Sequence, residues 1–345
     1  MKTLRILAVL FAVCAFFTLG GPRVQAADDV VNITLSVPHP EPATPGAASA
    51  KWVQMIEERT KGKVKVKAMY SSTLLSEKNT IEGVLKGVAD MGLNNSAFRP
   101  ERYPMSALLN LPHPYKHTSV PIKIAWDMYN KFKPEEYKGV KVVSIYCAGV
   151  GKDACGFFGK FPVTGLADLK GKEMRATGTG VKVLDKLGAA PVAMPVVEIY
   201  EALQKNIIKG IYTTFEIIPP FKLNEVVDNI TSFPAPAAVM FLMVNEKKFN
   251  SWPADVQKAI MDISMEHSEF AAELFQKRAT TGLDLVLKNG GKKSEIPAEE
   301  QEKMLQMTLK PLVDEWLKET SAKGLPAQEW LDEFNRLLAK YNAEY

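Results

Sequence analysis

The apolar positions of the chain change period several times, and each change marks an element. From Asn32 to Val37 they alternate, as in a strand with one buried face, and Pro38-His39-Pro40 ends the pattern. Between Ala47 and Thr60, Trp52, Val53 and Ile56 fall at helical spacing, with Gly62 as the stop. Lys63-Val64-Lys65-Val66-Lys67 alternates strictly and predicts a half-buried strand. Glu77 to Lys86 predicts a second helix, ended by Gly87, and Val88 to Leu93 another short strand. This β-α-β-α-β order predicts a mostly parallel sheet with helices on its faces.

A second set follows. Val140 to Tyr146 and Glu173 to Thr177 read as strands. Val181 to Leu187 and Val196 to Lys205 read as helices, and Ile207 to Phe215 leads into a further strand. After Pro253, the residues Val256, Ile260, Ile263, His267, Phe270 and Leu274 recur at steps of three and four, a pattern that lasts to about Leu287. Pro253 suits the first turn of a helix and Gly290 its end. So long a helix spans more than one domain and braces both. From Ala298 onward the pattern is again helical.

The first 26 residues stand apart. Lys2 and Arg5 precede an apolar run from Ile6 to Leu19, a Gly20-Gly21-Pro22 break and a small-residue end at Ala26. That order predicts a secretion signal removed after about Ala26. Its loss takes Lys2, Arg5 and Arg23 and no acid. Lys plus Arg then falls from 43 to 40 against 39 acids, and the net charge from +4 to +1. A charge so close to balance excludes the concentrated basic face of a nucleic-acid binder. No later segment is apolar enough to span a bilayer, so the mature protein reads as exported and not membrane-spanning.

The candidate chemistry is sparse. Gly178-Thr179-Gly180 lies between a strand and a helix, but Val183 replaces the third glycine of a dinucleotide fingerprint. What survives is a helix start that favours an anion. Arg175 sits just before it, with a planar fork suited to a carboxylate or sulfonate. His39, His113, His117 and His267 are dispersed, and prolines flank His113, so no zinc site and no metal is expected; His267 reads as a satisfied core residue. No nucleophile–base constellation can be assembled, and neither an enzyme nor a cofactor is expected. Cys147 and Cys155 flank a short Gly-containing loop; a disulfide and two separate buried thiols remain equal readings.

Four segments, in order, carry a resemblance: Trp52 to Val64; Ile81 to Gly92; Leu166-Ala167-Asp168-Leu169-Lys170-Gly171-Lys172-Glu173-Met174-Arg175; and Leu187 to Met194 with Glu198 to Gln204. Together they resemble the DctP-type solute-binding receptors of tripartite ATP-independent periplasmic (TRAP) transporters. The resemblance implies an α/β periplasmic binding protein fold. Two lobes of mixed sheets flanked by helices carry a long bracing helix across both. Lobe I would hold 27–152 and about 238–285, lobe II 153–237 and about 286–330, with a helical tail over 331–345. It implies a periplasmic receptor that captures an organic acid anion and delivers it to a TRAP membrane permease. A sensory receptor of the same fold is the alternative.

In that family the Arg closing the Leu-Lys-Gly-x-x-x-Arg motif grips the ligand's carboxylate; here it is Arg175. Cys155 stands where many members carry a second cation, and Thr213 where many carry Asn. His39, Glu77, Asn95 and Phe98 lie on first-lobe loops near the cleft, and Phe215 on the hinge side. One anion anchor among aromatic neighbours favours a monocarboxylate or sulfonate with an aromatic body, against which Phe98 and Phe215 would pack.

Overall fold

The computed structural model describes residues 30–151 and 153–345. The segment read as a secretion signal lies outside the described residues. Two sheets organise the chain. The first orders its strands β2-β1-β3-β10-β4, with β1 Val31–Ser36, β2 Val64–Met69, β3 Met91–Asn95, β4 Val140–Cys147 and β10 Val239–Asn245. The second runs β11-β9-β5-β8-β6-β7, with β5 Cys155–Gly159, β6 Glu173–Ala176, β7 Ala190–Ala193, β8 Gly210–Thr214, β9 Asn229–Ser232 and β11 Lys292–Ser294. Each sheet is the centre of one lobe.

The alternating strands behave as their pattern predicts. Val31, Ile33 and Leu35 of β1 are buried, and β1 runs parallel to both β2 and β3. The sheets are nevertheless mixed. β10 enters antiparallel between β3 and β4, and β5 lies antiparallel between β8 and β9. β10 has no alternation to announce it. Val239 to Val244 are all buried, because a central strand is covered on both faces.

The long periodic stretch after Pro253 divides in two. One helix is Ala254–Asp262 and the next Ser264–Lys288, with Ile263 between them. The second has 25 residues, about 37 Å of rise. Its Ala271 and Phe275 sit in the first lobe's core, its Ala279, Leu283 and Val286 in the second's. A Cβ on Gly282 would overlap the Phe215 carbonyl oxygen, so glycine is needed where this brace meets lobe II. Two segments cross beside it. Residues 148–154 join β4 to β5, and residues 233–238 join β9 to β10. They run together, with Ala148 N bonded to Ala238 O at 3.1 Å and Phe233 N to Cys155 O at 3.1 Å.

A second tie lies at the C-terminus. The helix Ala298–Ala322 packs on Thr179–Lys186 of lobe II and on Pro104–Leu109 of lobe I. Trp316 Nε1 donates to Pro104 O at 2.6 Å, and Lys182 pairs with Glu315 at 2.7 Å. The helix Ala327–Asn342 then packs on Ser119–Phe132 of lobe I. Position 331, expected to open a separate tail, falls inside that last helix. Among the described residues no helix is long and apolar enough to cross a membrane.

His267 is fully buried on the brace, with Nδ1 2.8 Å from Ser144 Oγ and Nε2 2.8 Å from Ala48 O. Burial pushes its imidazole down to about 4, and does the same to His113. An unfolded histidine titrates near 6.5, so below that pH the unfolded chain binds protons the native state refuses. Stability is therefore complete above about 6.5 and falls as pH drops towards 4, by on the order of 3 kcal/mol per histidine across that window. Thermal unfolding followed by circular dichroism should show Tm declining over this range. His267→Asn should lower Tm at neutral pH yet flatten part of the decline, and an unaltered slope in H267N would remove His267 from the account.

Candidate functional site

The carboxyl ends of parallel strands are where open α/β sheets bind ligands. Nearly every candidate residue lies at such an edge. His39 follows β1, Glu77 follows β2, and Asn95 ends β3 with Phe98 in the turn beyond. On the second lobe, Arg175 is near the end of β6, Met194 follows β7, and Thr213 is near the end of β8.

Register decides which faces they present. Arg175 stands opposite Val192 and Ile211, and its neighbours Met174 and Ala176 point into the core on the other side. Thr213, two residues beyond Ile211, shares the Arg175 face. Arg175 is only 6% exposed. Its Nε and Nη2 both donate to Met194 O, at 3.2 and 3.1 Å, and among the described residues no carboxylate pairs with it. Burial alone pushes the guanidinium down to about 10. An uncompensated buried charge costs several kcal/mol, which an incoming anion relieves. The Met194 carbonyl occupies the Nε–Nη2 edge, and Nη1 makes no hydrogen bond among the described residues. Gly178, in the left-handed region with φ +52°, turns the chain from β6 into the helix Thr179–Lys186 beside it.

Across the gap, Asn95 Oδ1 accepts from Ala97 N at 3.1 Å and shapes the turn Ser96–Phe98. Arg99 Nη1 donates to Glu82 Oε1 at 2.6 Å and ties that turn to the helix Thr80–Leu85. Phe98 remains 48% exposed. A Cβ on Gly178 would come within 3.8 Å of Ala97 O, so the two lobes approach each other at this rim. His39 Nε2 lies 2.9 Å from Glu77 Oε1. The structure thus puts Arg175 and Thr213 on one face of the second sheet near its strand ends, and Asn95, Phe98, His39 and Glu77 at or beyond the strand ends of the first, with Ala97 and Gly178 where the two edges approach.

Two expectations need correction. Cys155 pairs with Thr214 in register, so its side chain points to the face opposite Arg175 and Thr213. It is buried with Phe157 and Tyr212, its thiol lies 3.4 Å from Phe233 O, and it borders a cavity of about 420 Å³ that His113 and Ile296 also line. Phe215 is fully buried, edge-on to Phe158 in the second lobe's core, so it is a packing residue rather than a cleft wall. Cys147 and Cys155 are two free buried thiols. Cys155 is bonded alongside Phe233 while Cys147 stands opposite Val239, six residues further along the neighbouring segment.

Spacing gave no sign of one further cluster. Thr44 Oγ1 of lobe I donates to Glu216 of lobe II, and Arg278 of the brace donates to Pro42 O at 2.9 Å and to Thr44 Oγ1 at 3.3 Å. Burial pushes the Glu216 carboxyl up, opposed by the Thr44 bond and the fields of His39 and Arg278. An acid closing the run Thr213-Thr214-Phe215 was the only available signal.

Two lobes, with a buried cation at a strand end that no carboxylate pairs with among the described residues, are the arrangement of a binding protein. The profile of the bacterial extracellular solute-binding proteins, family 7 (DctP), matches residues 36–320, and the chain belongs to that family. It is 31% identical over 168 residues to a solute-binding protein of Sulfitobacter; the match covers 48% of this chain and 50% of that protein, half its length. Its fold matches a TRAP periplasmic solute-binding protein of Desulfovibrio salexigens in an open complex, with TM-score 0.85 and 30% identity over 90% of this chain and 97% of that one. It also matches a TRAP solute-binding protein of Rhodoferax ferrireducens in complex with copurified benzoate, with TM-score 0.80 and 22% identity over 91% and 99%.

The two phenylalanines should separate cleanly. Phe215→Ala should lose about 3–5 kcal/mol in urea unfolding, as buried aromatic truncations do. Phe98→Ala should stay within about 0.5 kcal/mol of the parent. Equal losses would contradict the core and rim assignments.

Proposed function

We propose that this protein is a periplasmic receptor that captures a monoanionic organic acid and hands it to a TRAP membrane permease. Arg175 carries the reading. A guanidinium this buried, whose hydrogen-bond partner among the described residues is one carbonyl, is most stable beside an anion. A carboxylate or sulfonate fits its open edge by two parallel hydrogen bonds. With Cys155 turned to the other face, the position expected to carry a second cation supplies none beside Arg175, and a dicarboxylate would then leave one charge uncompensated. The half-exposed Phe98 at the rim suits an aromatic or otherwise apolar body. The Rhodoferax protein of this fold holds such an acid, benzoate. Capture and release require no nucleophile. Removal of residues 1–26 on export would leave Ala27 as the first residue.

Calorimetric titration with benzoate, mandelate, benzenesulfonate, succinate and glucose should give binding by the monoanions only. Arg175→Ala should weaken it by about 2–5 kcal/mol, the usual loss for one partner of a buried charged pair. Tight succinate or glucose binding, or unchanged affinity in R175A, would sink the reading. Mass spectrometry of the exported protein should find its amino terminus at Ala27.

A further inference from the structure

The connection between the lobes has to end somewhere in lobe I, and a ring of side-chain bonds marks the place. The β3–β10 ladder stops where Asn95 stands opposite Met240. Val239, one residue earlier on β10, is where segment 233–238 enters the first sheet. On its other side it pairs with Cys147, the last residue of β4, where segment 148–154 begins. On the β3 side the Asn110 side chain takes over from the ended ladder. Its Oδ1 accepts from Val239 N at 2.9 Å, an N–H shared with Ala237 O at 3.1 Å. Its Nδ2 donates to Ser96 Oγ at 2.9 Å, and Ser96 Oγ donates to Val239 O at 3.0 Å. Asn110, Ser96 and Val239 are all buried, so a bond lost from this ring is not replaced from bulk water.

The anchor is itself held. Asn110 caps the helix Pro104–Leu109. The first turn of that helix is gripped by the buried Glu136 carboxylate, which accepts from Met105 N at 2.8 Å and from Ser106 N at 3.2 Å. Trp316 of the C-terminal tie donates to Pro104 O. Ser96, on the far side of the ring, opens the turn Ser96–Phe98 whose Ala97 O approaches Gly178 of lobe II. One amide therefore joins a fixed helix, the end of the connection and the turn at the rim.

We propose that Asn110 is a positioning residue that sets the angle between the lobes, acting through Val239 and Ser96. It ends the bendable connection at Val239 and makes the rim turn one body with that end. The angle decides how the two strand edges are presented to a solute. Without the ring, bending would spread into β10 and the turn, and the lobes would sample a wider range of angles. The inference deepens the binding-protein reading above, but no ligand enters its test, so its failure leaves that reading standing.

Double electron–electron resonance on the purified protein, freed of bound solute, reads the angle directly. Spin labels carried on a ketone-bearing amino acid at the exposed positions 86 and 185, one on each lobe, leave the native thiols alone. Asn110→Ala should broaden the distance distribution about 1.5-fold or more. Ser96→Ala, which removes both bonds of the hydroxyl, should broaden it in the same way. Leu108→Ala, which opens a cavity in the lobe I core, should lower Tm at least as much as N110A and leave the width within about 1.1-fold of the parent. A parental width in N110A, or equal broadening in L108A, overturns the proposal. Should N110A not fold, S96A is read in its place, and a parental width there overturns it equally.

Discussion

One helix is buried in two cores at once, and the architecture depends on it. Ser264–Lys288 gives Phe275 to the first lobe and Ala279, Leu283 and Val286 to the second. Neither lobe can shed it without opening its own interior. The two sheets therefore share a reference body, and the candidate residues at their strand ends are held at a defined separation. The C-terminal helices add a second shared element on the other side of the sheets, through Trp316 and Lys182.

Against that packed frame, the polar side chains near the strand ends are unevenly bonded among the described residues. Buried Arg175 meets a carbonyl instead of a carboxylate. Buried Glu216, by contrast, has Thr44 and the nearby Arg278, and it joins both lobes to the brace. On the function proposed above, the contrast separates a charge arranged for the fold from a charge arranged for a ligand. Both are buried acids or bases with displaced proton affinity, and only the list of partners tells them apart.

Much of this was legible in the chain. The alternation of β1 and β2, the helical stripe of the brace and the strand–turn–helix around Arg175 all follow from short-range spacing. β10 was not legible, because a strand covered on both faces has no alternation to read. The break at Ile263 was missed because its apolar side chain continues the stripe. Cys155 and Phe215 were misjudged for a different reason. Their distance along the chain from Arg175 was sound, but only the β5–β8 register fixes the side on which Cys155 emerges, and only packing against Phe158 fixes Phe215 as interior.

The crossing segment 233–238 has a further consequence. Pro234 and Pro236 lie in it, and each ring fixes one backbone torsion that would otherwise be soft. Its partner segment is bonded to it at both ends, and the brace lies beside them. The prolines and the paired hydrogen bonds restrict this strand of the connection, while Gly149 and Gly151 keep soft torsions in its partner. Any change in the angle between the lobes must therefore be taken up mainly at those two glycines, which makes them the soft point of an otherwise braced connection.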